Sequence, residues 1–212
     1  KTTVTSMSHK LFSDYLDKKR VEALGNIGNP VLDNTDEGID IALIEVSSYQ
    51  LELSSSISSD IAVLLNVTQD HLDRHSSFEE YKAIKNKVFT QSKLVIKGGQ
   101  SISSTEECIY FQEIFKDYDY CFDVLKEEWP LHDIENIKAA ISILFAYLVL
   151  NQEVSFYDKS ERESFIKDCL RILNSFQRLP HRYEILDLKD GVTFINDSKA
   201  TNVASVLKAL ES

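Results

Sequence analysis

The 212-residue chain contains no apolar run approaching the roughly 20 residues that a membrane-spanning helix needs. It also does not open on a charged stretch followed by a short apolar one, so neither a bilayer span nor a secretory leader is expected. It has only three cysteines, Cys108, Cys121 and Cys169. They stand far apart without metal-ligand spacing, which excludes a thiolate cage and suits buried thiols in a reducing compartment. A basic excess is missing too. The formal net charge is −11, which argues against nucleic acid or an anionic membrane as the main partner, although an acidic protein can still hold a local cationic pocket for phosphate. No repeat or low-complexity tract occurs. A cytoplasmic globular protein is the expectation.

What is present points to an α/β enzyme. With 43% hydrophobic and 27% charged residues, the chain can bury one sizeable core, and its length suits one large domain plus part of another. Ile61-Ala62-Val63-Leu64-Leu65 is short and branched, the pattern of a buried parallel strand. It runs into Asn66-Val67-Thr68-Gln69-Asp70-His71-Leu72-Asp73, a dense set of oxygen and nitrogen ligands. Ile41 to Ile44 forms a second such strand and runs into Glu45-Val46-Ser47-Ser48-Tyr49-Gln50-Leu51-Glu52. Ligands in open α/β sheets bind beyond the carboxyl ends of strands, so two strands deliver polar groups to one edge.

Helical spacing of Val4, Met7, Leu11, Phe12 and Tyr15 predicts a helix from Thr3 to about Arg20, followed by a turn at Gly25-Asn26-Ile27-Gly28-Asn29-Pro30. Ser76-Ser77-Phe78-Glu79-Glu80 reads as a capped helix start and places Lys85 on the helix after the His71 loop. Further strands are expected at Lys93–Ile96, Cys108–Phe111 and Tyr120–Val124, and helices at about Ile134–Leu150 and Glu161–Phe176. After Arg178 the pattern changes. Strands at Tyr183–Leu188 and Val192–Ile195 flank the turn Lys189-Asp190-Gly191, and a helix is expected over Val203–Leu210. A second domain is expected from about residue 178, and it is too short to complete an α/β core alone.

On residue chemistry alone, Glu45 at a strand end can ligate a hard cation or be a solvated acid. His71, beside Asp70 and Asp73, is placed better for a site than most lone histidines. Lys85, judged by spacing only, is an ordinary helix-surface charge. Asn26 serves equally as a ligand for substrate groups or as a turn residue.

Six strings, taken in order, carry a resemblance. Lys1-Thr2-Thr3, Gly25-Asn26-Ile27-Gly28, Glu45 to Glu52, Asn66 to Arg74, Leu179-Pro180-His181-Arg182-Tyr183-Glu184 and Asn196-Asp197-Ser198-Lys199-Ala200-Thr201-Asn202 resemble the Mur ligases, nearest to members that add D-glutamate. The resemblance implies a P-loop-type, mostly parallel sheet flanked by helices over residues 1–177, and the beginning of a Rossmann-like C-terminal domain over 178–212. It also implies a UDP-binding domain and phosphate-loop glycines upstream of Lys1. The implied activity is ATP-dependent addition of D-glutamate to UDP-N-acetylmuramoyl-L-alanine by a monomer, in peptidoglycan precursor synthesis, without nucleic-acid or membrane partners.

By the same resemblance, Lys1 and Thr3 meet the nucleotide phosphates, and Thr2 and Glu45 hold magnesium. His71 and a carbamylated Lys85 serve a second magnesium ion, His71 lying near the reacting carboxylate. Asn26 and Ser47 bind substrate, Asn136 contacts adenine, Arg182 reaches the nucleotide and Asp197 its ribose. Lys199 and Thr201 face the substrate carboxylates. One departure stands out: Asp133 replaces the family's usual asparagine and, as an acceptor only, cannot donate as an amide does. A sister ligase, such as a folylpolyglutamate synthase, or a catalytically inactive ligase fragment are the alternatives.

Overall fold

The expected first helix forms because Val4, Met7, Leu11 and Phe12 fall on one buried stripe: in a computed structural model of the chain, α1 spans Thr2–Tyr15. The structure describes residues 1–34, 38–54, 57–98, 108–110, 114–153, 159–189 and 191–211. Helix α1 stops short of Arg20 because Asp17, Lys18, Lys19 and Arg20 offer no apolar face to continue it. Arg20 instead donates its backbone N–H to Asp40 at 2.8 Å, tying the chain to the next strand pair.

Strand β1, Val21–Gly25, runs parallel to β2, Ile41–Glu45, in a register that pairs Gly25 with Glu45. β1 was not expected, since Glu22 and Gly25 interrupt a five-residue apolar pattern that only pairing makes legible. A second parallel sheet has the order β3-β4-β5, with β3 at Ser58–Leu64, β4 at Gln91–Lys97 and β5 at Cys108–Tyr110. Phe111, expected in β5, lies outside the described residues. Two helices punctuate these strands. α2, Ser48–Leu53, follows β2 where a polar loop was expected, and α3, Phe78–Asn86, crosses from β3 towards β4 with Ser77 as its cap.

Tyr120–Val124 is not the expected strand. Asp119–Leu125 forms a 3₁₀ helix whose buried residues, Cys121, Phe122 and Leu125, recur at three-to-four spacing while Val124 faces out. Pro130 then precedes α4, Leu131–Leu150, and α5 follows at Lys159–Asn174. The core lies where α1, α4 and α5 meet: Met7, Leu11, Ile137, Ile141, Leu144 and Ile166 are fully enclosed, and Phe12 meets Tyr147 edge-on at 5.4 Å. The cysteines Cys121 and Cys169 are buried free thiols, as expected. Among the described residues no helix is long and apolar enough to cross a membrane.

The last segment forms as read. β6, Glu184–Lys189, pairs antiparallel with β7, Val192–Asn196, and α6 covers Val203–Leu210. Gly191 in the intervening turn has φ +78, while its neighbour Asp190 lies outside the described residues. The parallel pairs flanked by helices make this an α/β protein, with the end of β2 meeting the start of α1, where Lys1 reaches Glu45 and Val46.

Candidate active site

The parallel pairing of β1 with β2 brings Gly25 against Glu45, and the approach is possible only for glycine. Gly25 has φ +88, and a Cβ added there would lie 2.5 Å from the Glu45 carbonyl oxygen. The chain then turns so that Asn26 donates its backbone N–H to that carbonyl at 2.8 Å and its side-chain amide to Glu45 Oε1 at 3.1 Å. Asn26 is therefore more than a turn residue: it clamps the carboxylate. Lys1 Nζ sits 3.4 Å from the same Oε1 and donates to the Val46 carbonyl at 3.2 Å.

Glu45 is 3% exposed. Burial pushes its pKa up, but the Asn26 amide, the Lys1 ammonium and the Thr2 hydroxyl outweigh burial, so the carboxyl titrates below its ordinary value. Its second oxygen, Oε2, is enclosed yet accepts no hydrogen bond. A buried charged oxygen without a partner is costly, and a cation is the partner that such an oxygen suits.

Beyond Glu45, Ser47 caps α2. Its hydroxyl accepts from Gln50 N while the Gln50 side chain accepts from Ser47 N at 2.8 Å, a complete capping box. This gives the residue assigned to substrate a structural task. Ser48 turns inward, its Oγ 3.1 Å from Nε2 of buried His75, while the exposed Tyr49 sets its Oη 3.2 Å from Nδ1 of His71. His71 adopts a left-handed backbone, φ +54, with its N–H held by Asp70 Oδ1 at 2.9 Å. The Tyr81 ring packs against His75, with ring centres 5.2 Å apart, and the Lys85 ammonium sits 4.8 Å from the centre of the same ring.

Lys85 is buried, not the surface charge that its spacing suggests. Desolvation, reinforced by the charge of Lys1 and opposed by that of Asp70, lowers its pKa to about 8. Sequence reasoning missed Tyr49 and His75 as members of this cluster. Each reads as a loop residue, and nothing in the sequence signals that Ser48 and His75 will meet.

A cleft of about 320 Å³ adjoins these groups. It gathers Lys1, Thr3, Asn136, Arg182, Asp197 and Lys199 from the expected set, together with Asn66 and Thr68 from the loop after β3. The final segment is fastened to this site at two points: Arg182 donates to the Thr2 hydroxyl at 3.0 Å, and Asn202, the cap of α6, donates to Asp70 Oδ2 at 2.9 Å. Asp197 accepts from Tyr183 N at 3.1 Å, and Lys199 donates its backbone N–H to the His181 carbonyl at 3.2 Å. Thr201 is exposed and does not line the cleft. Asn136 donates to Asp133 Oδ1 at 3.3 Å, and Arg178, which had not been singled out, approaches Asp133 Oδ2 at 3.5 Å.

Among the described residues no three His, Cys, Asp or Glu side chains converge as a metal cage. The expected ligand set contains only two such residues, Glu45 and His71; Thr2 and Lys85 complete it.

These features define an α/β protein with a cleft lined by several cationic side chains beside a buried carboxylate. The chain belongs to the Mur ligase family: residues 1–105 match the Mur ligase middle domain. It is 34% identical over 226 residues to a UDP-N-acetylmuramoylalanine–D-glutamate ligase of Buchnera aphidicola subsp. Acyrthosiphon pisum (strain Tuc7). It is 31% identical over 240 residues to the ligase of that name from Geobacter sp. (strain M21), and 32% over 243 residues to that of Elusimicrobium minutum (strain Pei191). Each alignment covers 100% of this chain and 50% of the relative, so the chain spans about half the length of the curated relatives it matches.

Proposed function

We propose that this chain is the nucleotide-binding core of an ATP-dependent amide ligase that joins D-glutamate to UDP-N-acetylmuramoyl-L-alanine for peptidoglycan synthesis. The carrying observation is the convergence of Lys1, Thr3, Arg182, Asp197 and Lys199 on one cleft beside buried Glu45. The choice of D-glutamate rests on the names of the relatives. In this reading residues 1–177 are the central domain and residues from 178 begin a second one, in a monomeric cytoplasmic enzyme.

The residues present fit magnesium at Glu45: the orphaned Oε2 offers a hard anionic oxygen, and the Thr2 hydroxyl contributes to the same electrostatic environment. When bound, magnesium supplies neutralisation of phosphate charge. A second ion would be held by His71 and Lys85 only after carbon dioxide adds to the neutral Lys85 amine, releasing a proton and leaving a carbamate. Burial beside Lys1, which lowers the Lys85 pKa to about 8, supports that chemistry.

The chain's own residues then act by positioning and charge. Lys1 and Arg182 orient the terminal phosphates while the substrate carboxylate attacks the γ-phosphorus and ADP leaves. Lys199 steadies the resulting acyl phosphate. The amine of D-glutamate attacks the acyl carbon, phosphate departs, and one proton is lost to solvent. Asn26 keeps Glu45 aimed throughout, and the Arg182 and Asn202 contacts hold the second segment over the site, limiting water.

The test is phosphate release by the full-length protein in which this sequence occurs, with ATP, magnesium and UDP-N-acetylmuramoyl-L-alanine. Release that requires D-glutamate, and not L-glutamate or L-lysine, is expected. Turnover with another amino acid would replace this reading with a sister ligase, and no turnover would support an inactive relative.

A further inference from the structure

The cleft is lined by two chemically different sets of groups. Lys1, Arg182 and Lys199 suit phosphate. The start of α4 and the segment after α5 supply instead an amide, Asn136, and the apolar side chains of Phe176 and Leu179, with His132, Asp133 and Arg178 in the same lining. A flat heteroaromatic base matches that second set, an assignment that rests on the ATP-ligase reading above.

A side-chain amide is ambiguous in recognition, because rotating it by half a turn exchanges its acceptor for its donors. Here the ambiguity is removed. Asn136 Nδ2 donates to Asp133 Oδ1 at 3.3 Å. In the rotated form the part-buried Asn136 would set Oδ1 against an oxygen of the buried Asp133 carboxylate, two acceptors with no proton between them, which is costly. Asp133 is itself enclosed between two neighbours. It is 5% exposed, His132 Nε2 lies 3.7 Å from Oδ1, and Arg178 Nε lies 3.5 Å from Oδ2. Arg178 is fixed in its turn by the Trp129 ring, 4.8 Å from the guanidinium, and by the Glu128 carbonyl, to which it donates at 2.6 Å. With an asparagine at 133 both amides could turn over together, and either orientation of Asn136 would be permitted.

We propose that Asp133 is a specificity-determining positioning residue that locks Asn136 with its carbonyl towards the cleft and so selects a 6-amino purine over a 6-oxo purine. Adenine offers an amine donor beside a ring-nitrogen acceptor, the complement of the Asn136 carbonyl and its remaining N–H. Guanine and hypoxanthine set a carbonyl oxygen against the Asn136 carbonyl, and the lock prevents the amide from adapting.

The test is equilibrium binding of ATP, GTP and inosine triphosphate to the full-length protein, by displacement of a fluorescent nucleotide, for the wild type, Asp133→Asn and Asn136→Ala. The wild type is expected to prefer ATP over both 6-oxo nucleotides by on the order of 100-fold. Asp133→Asn should cut that preference about tenfold, mainly by tightening GTP and inosine triphosphate. Asn136→Ala should weaken ATP without improving GTP. An unchanged ATP:GTP ratio in Asp133→Asn overturns the proposal. So does equal wild-type affinity for ATP and inosine triphosphate, a result that does not depend on any variant folding. A wild type that binds no nucleoside triphosphate overturns the ligase reading itself and this proposal with it.

Discussion

Replacing Gly25 by alanine tests whether the site depends on the close approach of two strand ends. The added Cβ would meet the Glu45 carbonyl oxygen at 2.5 Å and Ile44 Cγ2 at 3.2 Å, on a backbone with φ +88. The left-handed conformation alone costs an L-residue roughly 1 to 2 kcal/mol. The overlap adds to it, because its nearest atom is backbone and cannot rotate aside. Moving that carbonyl loosens the 2.8 Å bond from Asn26 N, worth about 1 kcal/mol more. Gly25→Ala should therefore lose about 3 kcal/mol. Gly28→Ala is the control: φ is +107 and nothing lies within 4 Å of an added Cβ, so only the conformational cost, roughly 1 to 2 kcal/mol, should appear. Urea unfolding of both variants measures the difference. Gly25→Ala that folds should also bind nucleotide less tightly, since Asn26 and Glu45 separate together. Equal losses in the two variants, or a Gly25→Ala variant within about 0.5 kcal/mol of wild type, would refute the reasoning.

Glu45→Gln keeps the shape and an acceptor for Asn26 but removes the charge; phosphate release should fall on the order of 100-fold with unfolding little changed, and activity near wild type would remove Glu45 from the metal assignment. Ser47→Ala should cost about 1 kcal/mol in urea unfolding through loss of the α2 cap, and a change in substrate KM larger than that stability loss explains would restore a direct substrate contact. Lys85 has a folded pKa of about 8 against an ordinary 10.5, so the unfolded chain holds more protons between those values. Stability contributed by Lys85 therefore rises as pH increases from about 8 to 10.5, and Lys85→Met should flatten that slope when unfolding is followed across pH 7 to 10; an unchanged slope would show that Lys85 is not desolvated.

The long helices were legible because their apolar periods are long enough to stand alone: α1 buries Val4, Met7, Leu11 and Phe12 of the stripe that spacing assigns to it, and α4 and α5 form over the ranges read for them. β1 was not, because a five-residue segment with Glu22 inside it acquires meaning only beside β2. The 3₁₀ helix at Asp119–Leu125 looked like a strand because Tyr120, Phe122 and Val124 alternate, yet Phe122 alone of these three is buried. In the site, Glu45 was visible as a carboxylate at a strand end, whereas Asn26's grip on it depends on a φ that only the turn reveals. Lys85 illustrates the limit most clearly. Helical spacing treats it as a solvated charge, whereas in the fold it is buried over the Tyr81 ring and feels the charges of Lys1 and Asp70, which lie outside its helix.

The distribution of charge supports the proposed divalent ion more than any single contact does. The chain's net charge is −11, yet the cleft is lined by Lys1, Arg178, Arg182, Lys199 and Lys208 against Asp133 and Asp197. Both aspartates are engaged, Asp133 by Asn136 and Arg178 and Asp197 by Tyr183 N, so the cationic field falls on whatever enters. Lys1 is shared with Glu45 at 3.4 Å. A polyphosphate drawn to Lys1 must therefore come close to a buried carboxylate, and two anions in a poorly solvated site repel strongly unless a cation lies between them. Glu45 Oε2 is the oxygen with no partner. On the proposed reading, the same enclosure that makes Glu45 a poor neighbour for bare phosphate makes it a good one for phosphate that arrives with its metal.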